Sequence, residues 1–116
     1  MEKVMIYQKP TCSTCRQVIK LADASGKPYE VINYYEKPFS KTRLKELLKK
    51  GGIKAADILR TKEDVYKSHK SKIANMNDDE IIDLMIQYPD LIQRPLVEKG
   101  KTVLLARPPE TVNTLF

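Results

Sequence analysis

One junction near the start of the chain constrains its fold more than any other feature. Val4-Met5-Ile6-Tyr7 is a short, β-rich apolar run bounded by Gln8-Lys9-Pro10, which reads as a buried strand. Immediately afterwards the period lengthens: Cys15, Val18, Ile19 and Ala22 recur three and four apart, predicting a helix from Cys12 to Ala24. Pro10 and Thr11 stand where a helix start favours them, and Gly26 stops the helix. Tyr29 to Tyr34 alternates as a second strand. Strand, helix and strand within about thirty residues form a βαβ unit, whose two strands should be parallel.

The rest of the chain reads more simply. Ser40 caps a helix carrying Leu44, Leu47 and Leu48, which ends at Gly51-Gly52. Ile53 to Arg60 reads as a shorter helix, and Thr61 to Met76 is polar and gives no firm assignment. Asn77-Asp78-Asp79-Glu80 has the form of a capping box, and the helix behind it buries Ile81, Ile82, Leu84, Met85 and Tyr88 before Pro89. Leu96-Val97 and Val103-Leu104-Leu105 flank Glu98-Lys99-Gly100-Lys101 as a hairpin. Pro109 opens a last short helix, Glu110 to Leu115. The expected class is α/β with a four-stranded mixed sheet. A β-α-β half and a β-β-α half carry a helical insertion, about residues 40–88, within a single domain spanning 1–116. With a CxxC directly after the first strand, this is the thioredoxin-like layout.

Composition excludes several functions. No uninterrupted apolar run exceeds four residues, against the roughly 20 that a membrane-spanning helix needs. The first ten residues hold no apolar stretch of the secretory kind, so a cytoplasmic location is expected. The chain carries a formal charge of +6, which favours anionic partners. Direct nucleic-acid binding is not expected, because the longest basic run is Lys49-Lys50 and most lysines alternate with acids. Cys12 and Cys15 are too few and too close for a secreted disulfide framework. They also lack the second pair that zinc would need, so no metal is expected.

The CxxC carries chemistry through its position. At a helix N-terminus, unsatisfied N–H groups and the positive end of the dipole favour a thiolate. A free thiol with a pKa of about 8.5 is roughly 3% ionised at pH 7, whereas one near 6.5 is about 75% ionised. Because nucleophilicity falls as the pKa falls, the attack rate gains only about threefold. The larger advantage is that such a sulfur leaves easily in the next exchange. Cys12 is therefore the candidate attacker and Cys15, one turn on, the candidate resolver. Arg60, Arg94 and Arg107 form a second set. The chain has sixteen lysines and only five arginines, and Arg94-Pro95 and Arg107-Pro108 both place arginine against proline at strand boundaries. Arginine is the planar fork suited to oxyanions. Tyr34 and Tyr35 read as a strand end packed on the core, His69 as a surface residue, and Met76 and Met85 as packing.

These motifs together resemble the glutaredoxin-coupled arsenate reductases of the ArsC type, nearly end to end. The resemblance rests on Pro-x-Cys-x-x-Cys-Arg at 10–16, Ile58-Leu59-Arg60-Thr61-Lys62-Glu63 followed by Tyr66, and Gln87-Tyr88-Pro89. Leu91-Ile92-Gln93-Arg94-Pro95-Leu96-Val97 and Ala106-Arg107-Pro108 complete it. It implies that Cys12 attacks arsenate and that Arg60, Arg94 and Arg107 bind the oxyanion or the thiol adduct. It also implies that the Arg94–Pro95 bond is cis, that no cofactor is bound, and that glutathione with glutaredoxin supplies electrons. Those reductases usually carry serine at position 15 and histidine at position 8. Cys15 here offers a Cys12–Cys15 disulfide and thioredoxin as a donor, and Gln8 removes a positive neighbour. The alternative resemblance is to Spx-type redox regulators, which share the fold and the CxxC and bind RNA polymerase; a glycine near position 52 matters in that group.

Overall fold

The computed structural model describes residues 3–9 and 12–115. Pro10 and Thr11, the expected helix-start residues, lie outside the described residues. Two compact units emerge: the described residues of Met1–Lys37 with those of Arg94–Phe116, and Pro38–Gln93.

The first unit is built on the expected mixed sheet. Strand β1 (Val4–Gln8) is followed by helix α1 (Ser13–Ser25) and strand β2 (Tyr29–Asn33), and the return half supplies β3 (Leu96–Lys99) and β4 (Thr102–Leu105). The sheet order is β2-β1-β3-β4. β1 and β2 are parallel with Ile6 opposite Val31, and β1–β3 and β3–β4 are antiparallel with Ile6 opposite Val97 and Val97 opposite Leu104. One face of the sheet packs on α1: Val4, Ile6 and Val97 meet Val18 and Ala22, joined by Ala106, Val112 and Leu115. The period of three and four in α1 is thus the footprint of that sheet. Gly26 closes α1 at φ +71°, a left-handed conformation that a side chain resists. The expected last helix is a 3-10 coil, Pro109–Leu115. Its two buried residues, Val112 and Leu115, are three apart and align on the three-residue turn of that geometry.

The second unit is helical. Helix α2 (Lys41–Gly51) buries Leu44, Leu47 and Leu48, with the Ser40 side chain capping the Arg43 N–H at 3.1 Å. Gly52 ends it at φ +63°. Helix α4 (Asp78–Gln87) begins with the expected box: Asn77 accepts from the Glu80 N–H at 2.9 Å, and Glu80 accepts from the Asn77 N–H at 3.2 Å. Its apolar face buries Ile81, Ile82, Leu84 and Met85, while Tyr88 is half-buried and ends the helix.

One expectation fails here, and one unassigned segment is filled, both for physical reasons. Ile53 to Arg60 is not a helix but a short 3-10 turn, Ala55–Ile58, after which Leu59 is extended and bridged to Ile92. The Arg60 N–H bonds the Leu91 carbonyl and the Gln93 N–H bonds the Ile58 carbonyl, both at 2.7 Å, so long-range pairing takes the backbone groups a helix would use. Between the two, helix α3 (Asp64–Ile73) occupies the segment left unassigned. It buries only Ile73, so its sequence carries no apolar period to read. His69, read as a surface residue, is half-buried on this helix, its ring packed 5.4 Å from that of Tyr88.

Candidate active site

The candidate reactive end of the first unit is the start of α1. Cys12 is its N-cap, with extended backbone, and its sulfur accepts the Cys15 N–H at 3.3 Å. The sulfur does here what a serine or aspartate oxygen does at an ordinary cap. No acidic residue lies in the first turn of α1, so no carboxylate of that turn competes with the sulfur for the helix N-terminus.

Cys12 and Cys15 sit in opposite environments. Cys12 is partly exposed and Cys15 fully buried. Partial burial pushes the Cys12 thiol up, but the Cys15 thiol and N–H, together with the charges of Arg94 and Arg107, hold it below the ordinary thiol range. Cys15 is pushed up to about 12, first by burial and then by its hydrogen bond and proximity to Cys12. Cys15 therefore keeps its proton at neutral pH, and of the two sulfurs Cys12 is the one that ionises first.

Arg94 and Arg107 come from distant stretches of the sequence, yet the charges of both favour the Cys12 thiolate. Arg94 is 6% exposed, stands at the entrance of β3, and precedes Pro95 through the expected cis bond. Its guanidinium bonds the Tyr34 hydroxyl oxygen at 3.4 Å. Arg107 is exposed, and its Nη1 donates to the Arg94 carbonyl at 2.9 Å. Arg60 belongs to the second unit, where its Nε bonds Glu63 at 3.0 Å. The structure thus joins Cys12, Cys15, Arg94 and Arg107 through their interactions, and it gives Arg60 a carboxylate partner of its own. The usual family histidine position holds Gln8, which is buried at the end of β1.

Sequence reasoning missed two features. The Arg107–Pro108 bond is also cis; the Arg-Pro pair there was the available signal, because cis bonds occur essentially only before proline. Tyr34, read as packing alone, is buried as expected but also carries the hydroxyl that meets Arg94. Of the Gly51-Gly52 pair noted for the Spx-type alternative, Gly52 has a local role as a left-handed helix cap.

Among the described residues, no three His, Cys, Asp or Glu side chains cluster as a metal would need, and no helix is long and apolar enough to cross a membrane.

The comparisons with known proteins agree with one another. The profile of the ArsC family matches residues 7–115. The arsenate reductase of Acidiphilium multivorum is 35% identical over 97% of this chain and 79% of its own. The Escherichia coli protein YfgD, itself uncharacterized, is 34% identical over 96% of this chain and 94% of its own. The solved arsenate reductase of Vibrio cholerae is similar at a TM-score of 0.91 and 32% identity, over 99% of this chain and 98% of its own. With a CxxC at the head of α1, a cis Arg94–Pro95 bond and a family match from the first strand to the last turn, the chain belongs to the ArsC family.

Proposed function

We propose that this protein reduces arsenate to arsenite through a Cys12–arsenic adduct. One observation carries the reading: a partly exposed thiol that caps a helix start, with the charges of Arg94 and Arg107 favouring its ionised form. The relatives named arsenate reductase support the substrate.

Arsenate is a tetrahedral dianion near neutral pH and repels a thiolate. Arg94 and Arg107 offset that repulsion, each charge-assisted hydrogen bond contributing about 1.5–3 kcal/mol. The Cys12 thiolate attacks arsenic(V), a sulfur–arsenic bond forms, and an arsenate hydroxyl leaves with its bonding pair as hydroxide, which takes a proton from solvent to become water. A second thiolate then attacks the Cys12 sulfur. A sulfur–sulfur bond forms, the sulfur–arsenic bond breaks, and its electron pair stays on arsenic, which leaves as arsenite(III).

Glutathione supplies that second thiol when glutaredoxin is the donor; the Cys12–glutathione disulfide is then reduced. Cys15 supplies it when a Cys12–Cys15 disulfide forms and thioredoxin reduces it. The first half-reaction prepares Cys15 for this role. Once Cys12 carries arsenic it is no longer an anion, so two of the causes that hold the Cys15 proton are gone.

The test is arsenate-dependent arsenite formation with glutathione plus glutaredoxin, in parallel with thioredoxin, for wild type, Cys12→Ser, Cys15→Ser, Arg60→Ala, Arg94→Ala and Arg107→Ala. Loss of turnover in Cys12→Ser and a large loss in Arg94→Ala are expected. An unchanged Arg94→Ala rate, or no arsenite from wild type with either donor, sinks the reading. The thiol pair also suits an Spx-like regulator. Oxidation-dependent retention by the C-terminal domain of the RNA polymerase α-subunit, with no arsenite formed, would select that reading.

A further inference from the structure

We propose that Tyr34 is a positioning residue whose phenolic oxygen aims the Arg94 guanidinium at the Cys12 sulfur. The proposal rests on the preceding assignment of Cys12 as the reacting thiol and Arg94 as an oxyanion anchor, and it adds the residue that fixes the anchor's direction.

The need for such a residue follows from the arginine itself. Arginine is a long, rotamer-rich side chain whose ordering costs up to about 2 kcal/mol, and an anion site works only if the fork is already aimed. Arg94 is almost fully buried, and its Nη1 lies 3.4 Å from the Tyr34 hydroxyl oxygen, within reach of a long hydrogen bond. The phenol is a suitable stop because its own position is fixed. Tyr34 is 2% exposed. Its N–H extends the ladder beyond β2 by bonding the Gln8 carbonyl at 3.4 Å.

The turn that follows holds the ring in place. The Asn33 side chain accepts from the Tyr35 N–H at 2.9 Å, and the Asn33 carbonyl accepts from the N–H groups of Glu36 and Lys37 at 3.1 and 2.9 Å. The Tyr35 ring lies 5.1 Å from the Tyr34 ring and carries the Lys9 ammonium 4.9 Å above its centre. Lys9 in turn begins the segment that leads to Cys12, and its carbonyl accepts the Cys12 N–H at 3.0 Å. The two tyrosines therefore connect the backbone before the thiol to the Arg94 guanidinium, whose charge favours the thiolate. A phenylalanine would fill the same core volume, so the hydroxyl has a purpose that packing does not supply.

The experiment compares Tyr34→Phe with wild type in two readouts, arsenate kinetics and the pH profile of Cys12 alkylation by iodoacetamide. The expected result is a fall of about fivefold in kcat/KM, the equivalent of one ordinary hydrogen bond, expressed mainly as a higher KM. The alkylation midpoint should rise, because a less well-aimed Arg94 favours the thiolate less. In an Arg94→Met background the same substitution should change neither readout further. A Tyr34→Phe protein identical to wild type in its alkylation profile overturns the proposal, and so does full additivity with Arg94→Met. A shifted alkylation midpoint in a chain whose wild type never yields arsenite would uphold the positioning role and remove only the arsenate reading.

Discussion

Replacing Cys15 by alanine removes the thiol that donates to the Cys12 sulfur but leaves the Cys15 N–H at 3.3 Å in place. A thiol is a weak donor, so the lost bond is worth about 1 kcal/mol, which corresponds to an upward movement of about 0.7 pH in the Cys12 midpoint. Where the midpoint lies above the working pH, the thiolate population falls about fivefold. Cys15→Ser keeps a donor at that place, and a hydroxyl donates better than a thiol. The serine variant should therefore have a midpoint at or below that of wild type, and the alanine variant one above both. The assay is the rate of iodoacetamide alkylation against pH, followed by mass, with thermal unfolding run alongside because position 15 is fully buried. A midpoint that stays put in Cys15→Ala while the fold is intact refutes the reasoning. So does a serine variant that titrates above the alanine one.

Three further outcomes are expected. Stability should decline as pH climbs through the range from about 9 toward 12, because the unfolded chain ionises Cys15 there while the folded chain holds its proton. Cys15→Ala should flatten that alkaline slope in denaturant titrations. Asn77→Ala removes one side of the capping box on α4 and should cost about 1 kcal/mol, seen as a fall of about 4 °C in Tm. Gly52→Ala meets no atom within 4 Å of the added carbon, so its cost is conformational alone, about 1–2 kcal/mol from the left-handed backbone; a neutral Tm would contradict the cap.

What could be read from the sequence divides along physical lines. The βαβ opening, the cap at Ser40 and the box at Asn77 were legible because each is written within a few neighbouring residues. Ile53 to Arg60 misled because its helical spacing was overruled by the Leu59–Ile92 bridge, whose partner lies thirty residues away. Helix α3 was hidden because a helix burying one residue leaves no period. At the site, Cys12 and Cys15 stood out by spacing, and Arg94 and Arg107 by their prolines. Tyr34 could not stand out, since a tyrosine at a strand end looks the same whether its hydroxyl meets solvent or a guanidinium.

The sulfur proposed to react is also the sulfur that finishes the helix. Any bond made to it, whether by arsenic, glutathione or Cys15, takes negative charge away from the acceptor of the Cys15 amide. Under the proposed reaction, each turnover would loosen and retie the first turn of α1. Amide exchange at that single position becomes an internal gauge of what the thiol is carrying.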